Sequence, residues 1–567
     1  MEKLWKVYPK LSQDVFSQYP EIDPLLLQLL SNRGINEQKD VDEFLNADWL
    51  QDVHDPNKFR DMLSAVDIVY KSIARGDKIT VYADYDADGV TGGTILVSAL
   101  KKLGATVNVY IPHREREGYG LNQAALRYIA DSGAKLIITC DCGVANVDEV
   151  KIANDLGMKV LITDHHEPKE TLPPAVAIIH PTLPGENYPG KYLSGGAVAF
   201  KFIQGLIKSD QCKLSSIEKE SLEKWTLDLV AISLVADMIP LTGEARTLTK
   251  YGLVVLQKNK RLGLQKLLSL AGIDPATINT TTIGWQIAPR INAAGRMDHA
   301  NTGFALLMSE NESEADELAQ ALNSANIARQ KATEEMITEA AEQVGEKVAF
   351  LVTAYKREWS IGLVGLVAGK LVQLYNRPAL VMCFDGKEVV GSGRGLPGFD
   401  LVDALGECSE LLTKFGGHKQ AAGFRLPADN LAKFIKKISA YAKKILKDID
   451  LKPELDIDIE LSLKDANWHL YDTVKSMEPY GQGNSMPIFL SPGLKVIDSS
   501  PVGSTGQHRR LVMAGDNLEK KFILFNMPED KIIKNNDIID VVYEIGVNEW
   551  NGNRDLQLKI KDYKINE

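Results

Sequence analysis

From residue 78 onward, short runs of apolar and β-branched residues alternate with longer segments of helical periodicity. The runs are Lys78–Ala83 (KITVYA), Thr106–Ile111 (TVNVYI), Lys135–Cys140 (KLIITC), Lys159–Thr163 (KVLIT) and Val176–His180 (VAIIH). Between them, Thr91–Lys102, Asn122–Ser132 and Val147–Leu156 carry helical patterns. Strands that are apolar at nearly every position are buried on both faces, and βαβ units built from them form a parallel sheet covered by helices. The expected fold class is therefore α/β, with a doubly wound parallel sheet. Ligands of such sheets bind beyond the carboxyl ends of the strands, so the site is expected there.

The pattern divides the rest of the chain. Residues 1–60 are mixed and turn-rich and read as a small cap. Residues 61–311 hold the parallel sheet and then, from about 196, helical sequence broken at Pro240 and Gly272. Over 312–345 proline is absent and glycine appears only at the end, while Leu318, Leu322, Ala325, Ala332, Met336 and Ala340 keep largely to one helical face. One long helix joining two lobes is expected, its charged flanks in solvent. Residues 346–449 resume the strand-helix order at Val348–Thr353, Ile361–Leu374 and Ala379–Phe384, predicting a second α/β domain. Residues 450–567 carry short alternating segments with Gly, Asn and Pro turns, as in a small β-barrel.

Composition narrows the function classes. A chain that is 44% hydrophobic and 25% charged has enough apolar surface to fold, so wholesale disorder is excluded. No apolar run approaches the roughly 18 residues of a membrane span, and MEKLWKVYPK lacks the apolar core of a secretory signal. Five cysteines, odd and sparse, fit a reducing cytoplasm rather than a disulfide framework. The net charge, 65 minus 76 or −11, disfavours a polyanionic partner in bulk. Local potential and bound metal ions reverse such an argument, so the motifs must decide.

Asp84-Tyr-Asp86-Ala-Asp88-Gly89 follows the strand KITVYA directly, and three acids so close together call for a cation. A calcium-binding helix-loop-helix would need a glutamate where Ile95 stands and a helix before the loop, so that reading fails. Asp141 sits in Thr139-Cys-Asp-Cys-Gly143 at the end of KLIIT. Cys140 and Cys142 point apart on a strand and have no second pair nearby, which argues against zinc. Asp164-His165-His166 closes KVLIT, and Asp237 follows the apolar run Leu229–Ala236, either as a helix cap or as a site residue. Carboxylates with a neutral imidazole suit Mn²⁺ or Mg²⁺. One acid between two such ions can bridge them at ~3.5–4 Å, the arrangement for in-line phosphoryl displacement. A two-metal hydrolase is expected.

The ordered set DYDADG, DCG, DHH and ADM resembles the DHH phosphoesterase superfamily. The wider chain is similar to its branch of bacterial single-strand-specific 5′→3′ DNA exonucleases. Pro112-His-Arg114, Glu117-Gly-Tyr-Gly120, Pro289–Arg296 (PRINAAGR), Gly391-Ser-Gly-Arg394-Gly395, Gly416–Gly423 (GGHKQAAG) and Pro479–Asn484 (PYGQGN) carry that similarity. The resemblance implies one ion held by Asp84 and Asp141 and another by Asp86, Asp141, His165 and Asp237, with Asp141 bridging. It implies catalysis by Asp86, Asp141 and His166, the last acting on the scissile phosphate, with Asp164 orienting its neighbours and Asp88 in an outer role. Small-substrate branches carry a histidine four residues before the first acid. Thr80 stands there, leaving one ion short of a protein ligand.

Directionality is expected from arginines. Ser392, Gly393 and Arg394 read as a glycine-rich loop, an anion nest for a terminal 5′-phosphate with Arg394 bidentate upon it, or else a plain turn. Arg114 and Arg296 are candidates for the same pocket, and Arg290 for the DNA backbone. His418 and Lys419 either meet phosphate or base or begin a helix. The last region resembles an OB-fold, a single-strand binder. Tyr471, Tyr480, Phe489 and Trp550 there either stack bases or fill the barrel, and His508–Arg510 and Lys520-Lys521 are its basic patches. The family implies release of 5′-mononucleotides from single-stranded DNA with a 5′ end, in recombination and repair. It also implies a monomer working with a single-strand-binding protein and a helicase. The alternatives are a phosphodiesterase of small nucleotides, which the extra barrel and Thr80 oppose, and a catalytically idle DNA-binding scaffold, which the intact acids oppose.

Overall fold

The computed structural model describes residues 3–345, 348–503, 507–527, 532–550 and 552–566. The chain forms two compact units, one from residues 54–239 and 248–452, the other from 1–53, 240–247 and 453–567.

The first unit holds a five-stranded, all-parallel sheet in the order Thr106–Tyr110, Lys78–Ala83, Ala134–Cys140, Lys159–Thr163, Ala177–Ile179. On one face Tyr82, Ile137, Val160 and Ile162 pack with Ala125, Leu126 and Ile129 of helix Gln123–Asp131 and Val150 and Ala153 of helix Val147–Asp155. Helix Ala87–Lys102 packs on the first two strands and on helices Gly195–Lys208 and Ser216–Ala236. This is the expected α/β class. Helix Ala87–Lys102 begins earlier than the periodicity predicts because Asp86 caps it, accepting from Asp88 N at 2.9 Å and Gly89 N at 3.1 Å.

Helix Glu312–Val344 runs from this lobe to the next. Ala315, Ala319 and Leu322 pack with Leu267, Ala294 and Leu306, and further along Met336 and Ala340 pack with Val364, Val367 and Leu371. Its polar flanks are not all in solvent: Asn326 is buried and Arg329 is half-buried, a correction to the sequence expectation. The second lobe has a five-stranded sheet in the order Lys414–His418, Ala421–Pro427, Glu388–Arg394, Ala379–Asp385, Val352–Tyr355. Only the last pair is parallel.

The other unit is built on a barrel. Strands Phe489–Val502, His508–Gly515, Leu518–Leu524, Asn553–Asn566 and Ile538–Trp550 pair in that order, and the first and last pair to close it. Leu29, Leu30, Val41 and Phe44 join its core with Leu511, Phe522, Val541 and Tyr543. Residues 1–60 are therefore not a separate cap; as far as residue 53 they belong to the barrel unit. Arg246, fully buried against the Phe44 ring, donates to the carbonyls of Phe44 (2.8 Å), Met477 (3.0 Å), Glu478 (2.8 Å) and Pro479 (3.1 Å). Asn484 Nδ2 donates to two of the same carbonyls, of Met477 at 2.8 Å and Pro479 at 3.0 Å. The PYGQGN segment is thus a structural clamp. Phe489 is wholly buried in the core, Tyr480 donates to the Val474 carbonyl, and Tyr471 lies under the Arg554 guanidinium. The side chain of Trp550 lies outside the described residues.

Among the described residues no helix is long and apolar enough to cross a membrane. All five cysteines are free and buried.

Candidate metal centre and phosphate wall

Three strands of the parallel sheet end in acids: Lys78–Ala83 in Asp84, Ala134–Cys140 in Asp141, and Lys159–Thr163 in Asp164. Helix Ser216–Ala236 delivers a fourth, Asp237, as its C-cap. Asp237 is thus both the cap and a member of the cluster. Ligand atoms of Asp84, Asp86 and Asp141 lie within 4.8 Å of one another, as do those of Asp141, His165 and His166 and those of Asp88, His165 and Asp237. Asp141 belongs to two of these groups. Its backbone is left-handed, φ 61°, and it sits so close to Gly195 that a Cβ there would come within 2.5 Å of the Asp141 Cβ.

Hydrogen bonding sorts these acids. Asp164, fully buried, accepts from Val144 N (2.9 Å), His165 N (2.7 Å), His166 N (3.2 Å) and His166 Nδ1 (2.9 Å). Burial alone would raise its pKa, but the His166 hydrogen bond and the nearby imidazoles outweigh it and hold the carboxyl well below the usual range. Asp88 accepts from Gly195 N (2.7 Å), Gly196 N (2.8 Å) and Ser233 Oγ, so its oxygens already have donors. Asp84 differs: its Oδ1 is buried with no hydrogen-bond partner. Burial first, and the neighbouring carboxylates second, push Asp84 and Asp141 well above the usual range and Asp237 up to about 8. Burial lowers His165, keeping it neutral, with Nε2 3.1 Å from Asp141 Oδ1 and 3.5 Å from Asp237 Oδ2. An orphaned carboxylate oxygen, mutually repelling acids and a neutral imidazole fit divalent cations.

Cys140 and Cys142 are not part of this donor set. Burial pushes both thiols well above their usual range, and each faces a backbone carbonyl, of Gly195 and Tyr82. Thr80 is buried in the sheet and donates to Asn108 Oδ1 at 2.7 Å.

Beside the centre stands a wall of arginines from both lobes. Arg296 donates to the Gly362 carbonyl at 2.9 Å, and burial, then the charges of Arg114, Arg329 and Arg394, push it down to about 9. Arg114 lies over the Tyr85 ring, 4.8 Å from its centroid. Arg394 Nη1 donates to Ser392 Oγ at 3.1 Å and to the Gly393 carbonyl at 2.8 Å. The GSGR segment is not a loop. It lies in strand Glu388–Arg394, paired on both edges, so its backbone cannot form the expected anion nest and only its side chains are offered. Arg290 donates to Asn323 Oδ1 (3.1 Å) and the Gln286 carbonyl (2.7 Å). His418 ends a hairpin strand rather than starting a helix, and pairs with Glu167 at 3.6 Å.

Sequence reasoning passed over three residues. Tyr119, within the quoted EGYG, places its hydroxyl 2.9 Å from His166 Nδ1 and 3.2 Å from the Asp141 carbonyl. Asn292, inside PRINAAGR, accepts from Ala87 N at 2.7 Å and so steadies the helix that Asp86 caps. Arg329, on the connecting helix, has a buried Nε with no hydrogen-bond partner and is charge-coupled to Arg290. Nothing in its helical spacing distinguishes it from a solvated flank.

Known proteins are similar to this chain in domains, sequence and fold. The "DHH family, N-terminal domain" matches residues 78–234, the "DHHA1 domain" 345–444 and the "RecJ OB domain" 457–562. The chain is 37% identical over 552 residues to the single-stranded-DNA-specific exonuclease RecJ of Bacillus subtilis, covering 96% of this chain and 68% of that protein. It belongs to the RecJ family. The RecJ of Escherichia coli is 31% identical over 561 residues, covering 95% of this chain and 96% of that one. The crystal structure of Thermus thermophilus RecJ with Mn²⁺ superposes with a TM-score of 0.85 at 26% identity, covering 99% of this chain and 80% of that one. RecJ from the same organism is also known in complex with Mg²⁺, at a TM-score of 0.79 and 25% identity, covering 99% of this chain and 78% of that one.

Proposed function

We propose that the chain is a metal-dependent, single-stranded-DNA-specific 5′→3′ exonuclease that releases 5′-mononucleotides in recombination and repair. The reading rests on one juxtaposition: a carboxylate cluster with an orphaned oxygen on one lobe, faced by an arginine wall that the second lobe completes.

Asp84 and Asp141 would hold one ion and Asp86, Asp141, His165 and Asp237 the other. Mn²⁺ or Mg²⁺ ions so held would supply charge stabilisation at phosphorus and an activated water for in-line attack. His166 is held by Asp164 through Nδ1, which leaves Nε2 for the scissile phosphate. Its pKa, raised to about 9 by that hydrogen bond against the opposing effect of burial, keeps it a charged donor as negative charge builds on the phosphoryl oxygens. Arg394 with Ser392, and Arg114 with Arg296, grip the terminal 5′-phosphate, while Arg290 takes the backbone; Gly393 faces Leu380 and Leu401 on the buried side of its strand and so falls outside the expected clamp. A strand anchored by its 5′-phosphate presents its first phosphodiester to the acids, and polarity follows. His418 would meet the strand beyond the clamp, and the barrel, which matches the RecJ OB domain, would bind single strands.

In finer detail, the catalytic domain spans 61–311, the connecting helix 312–345, the associated domain 346–449 and the strand-binding region 450–567. The enzyme acts as a cytoplasmic monomer, recruited by a single-strand-binding protein and a helicase.

The test is incubation of the protein with 5′- and 3′-labelled single and double strands, and with a dinucleotide, in Mn²⁺, Mg²⁺ or chelator. Mononucleotides released from the 5′ end of single strands only, and only with metal, are expected. Cleavage of the dinucleotide with the strand left intact would replace this reading by the small-substrate one.

A further inference from the structure

Trp285 sits in a five-residue π-helical turn, Ile283–Ile287, closed by Ala288 N donating to the Ile283 carbonyl. The cause lies in the next helix. Pro289 has no N–H for the carbonyl of Trp285, its α-helical acceptor, so the turn widens. Ile283 and Ile287 point inward and are buried, while the indole between them is 75% exposed. Trp468, the other tryptophan among the described side chains to be more than a third exposed, has the Arg554 guanidinium over its ring.

The turn's position is specific. A Cβ built on Gly284 would be 3.9 Å from Val235 Cγ1, so the turn abuts the last turn of the helix that ends in Asp237. Met238, the next residue, is also exposed, at 66%, with a left-handed φ of 58°. On its other side, the Gln286 carbonyl accepts from Arg290 Nη1, which sets a guanidinium beside the turn. An uncovered aromatic face between a carboxylate cluster and an arginine is the pairing by which proteins hold single strands, the ring stacking a base and the cation meeting phosphate.

We infer that Trp285 is a base-stacking platform that positions the bound strand at the metal centre. The inference rests on the exonuclease reading and deepens it: a stacked base requires an unpaired strand, so Trp285 would contribute to single-strand selectivity without reading sequence.

The experiment uses the full chain as wild type, Trp285→Ala and Trp285→Phe. The substrates are a 5′-phosphorylated thymidine oligonucleotide and a series with one abasic residue moved stepwise from the 5′ end. Loss of one stacked base is expected to raise KM by roughly 5- to 100-fold in Trp285→Ala with little change in kcat, and the phenylalanine variant should recover most of it. In the wild type, one abasic position should produce a comparable loss, and at that position Trp285→Ala should lose nothing more. An unchanged KM, or losses that simply add at every abasic position, would overturn the platform while leaving the exonuclease reading intact. A wild-type protein that cleaves no single strand would overturn both. Should the alanine variant fail to fold, the abasic series on wild type and Trp285→Phe decides.

Discussion

Replacing Asp141 with asparagine should stabilise the ion-free protein and abolish its response to metal. Asp141 is buried, and its left-handed φ of 61° is one that asparagine adopts as readily, so the substitution removes charge while keeping shape. The ligand atoms of Asp84, Asp86 and Asp141 lie within 4.8 Å, and at an effective dielectric near 20 an ionised pair at that distance repels by roughly 3 kcal/mol. Proton uptake already relieves part of this, because burial and four neighbouring carboxylates hold Asp141 well above its usual range. A carboxyl raised in the folded state destabilises at pH values above its unfolded pKa. The gain from asparagine should therefore be absent near pH 4 and reach about 1–2 kcal/mol at neutral pH, a few degrees in Tm.

Mn²⁺ reverses the sign. At a hundred-fold excess over Kd it should stabilise the wild type by about 2.7 kcal/mol, whereas the variant, lacking the carboxylate that two of the ligand groups share, should gain almost nothing and lose at least about a thousand-fold in kcat/KM. Thermal melts in chelator and across a Mn²⁺ titration measure both arms. A chelated variant less stable than wild type, with an undiminished Mn²⁺ response, would refute the electrostatic account of the cluster.

Four further outcomes are expected. Asp86→Ala and Asp86→Asn should both abolish cleavage, but only alanine should also lose the roughly 1 kcal/mol of the cap on helix Ala87–Lys102; near-normal turnover in either would remove Asp86 from the centre. Arg394→Ala should weaken cleavage of 5′-phosphorylated ends more than of 5′-hydroxyl ends, and equal losses in kcat/KM would dismiss the phosphate clamp. Arg246→Ala, which removes a donor from four carbonyls and leaves those of Phe44 and Glu478 without the one it supplied, should destabilise the barrel unit by about 3–5 kcal/mol, and an unshifted urea midpoint would contradict that. His166, raised to about 9, should stabilise chelated protein most fully below its unfolded pKa of about 6.5 and lose that contribution as pH rises through 9; a stability difference from His166→Gln that stays flat between pH 6 and 10 would count against its pairing with Asp164.

The parallel sheet was legible because burial on both faces leaves an unbroken apolar run. Lys78–Ala83 and Lys159–Thr163 are observed at the bounds their sequences predict, each followed at once by its acid. The segment Glu388–Arg394 was misread because its glycines suggest a loop, whereas pairing on both edges overrides that local preference. The association of residues 1–53 with the barrel depends on contacts such as Phe44 with Arg246, remote in sequence and without local periodicity. Arg329 and Trp285 escaped for another reason: their significance lies in what fails to surround them, a partner for Nε and a cover for the indole.

Burial alone does not assign these acids their work. Asp84, Asp141 and Asp164 are all almost wholly buried, yet Asp164 is held low and the other two high. Desolvation penalises all three carboxylates, so the difference comes from their neighbours: other acids push Asp84 and Asp141 higher, while His166 and backbone donors hold Asp164 down. Asp164 is surrounded by backbone N–H groups and an imidazole, while Asp84 keeps an oxygen without a donor. A carboxylate whose lone pairs are filled by the protein orients its neighbours, and one left unfilled in a dry cluster gains most from a cation. The adjacent residues Asp164 and His165 therefore serve different ends: the acid fixes the ring of His166, and the neutral imidazole turns back toward Asp141 and Asp237. The reversal requires only that the chain bend at the strand end, where Asp164 gathers the N–H groups of both histidines and turns them into the site.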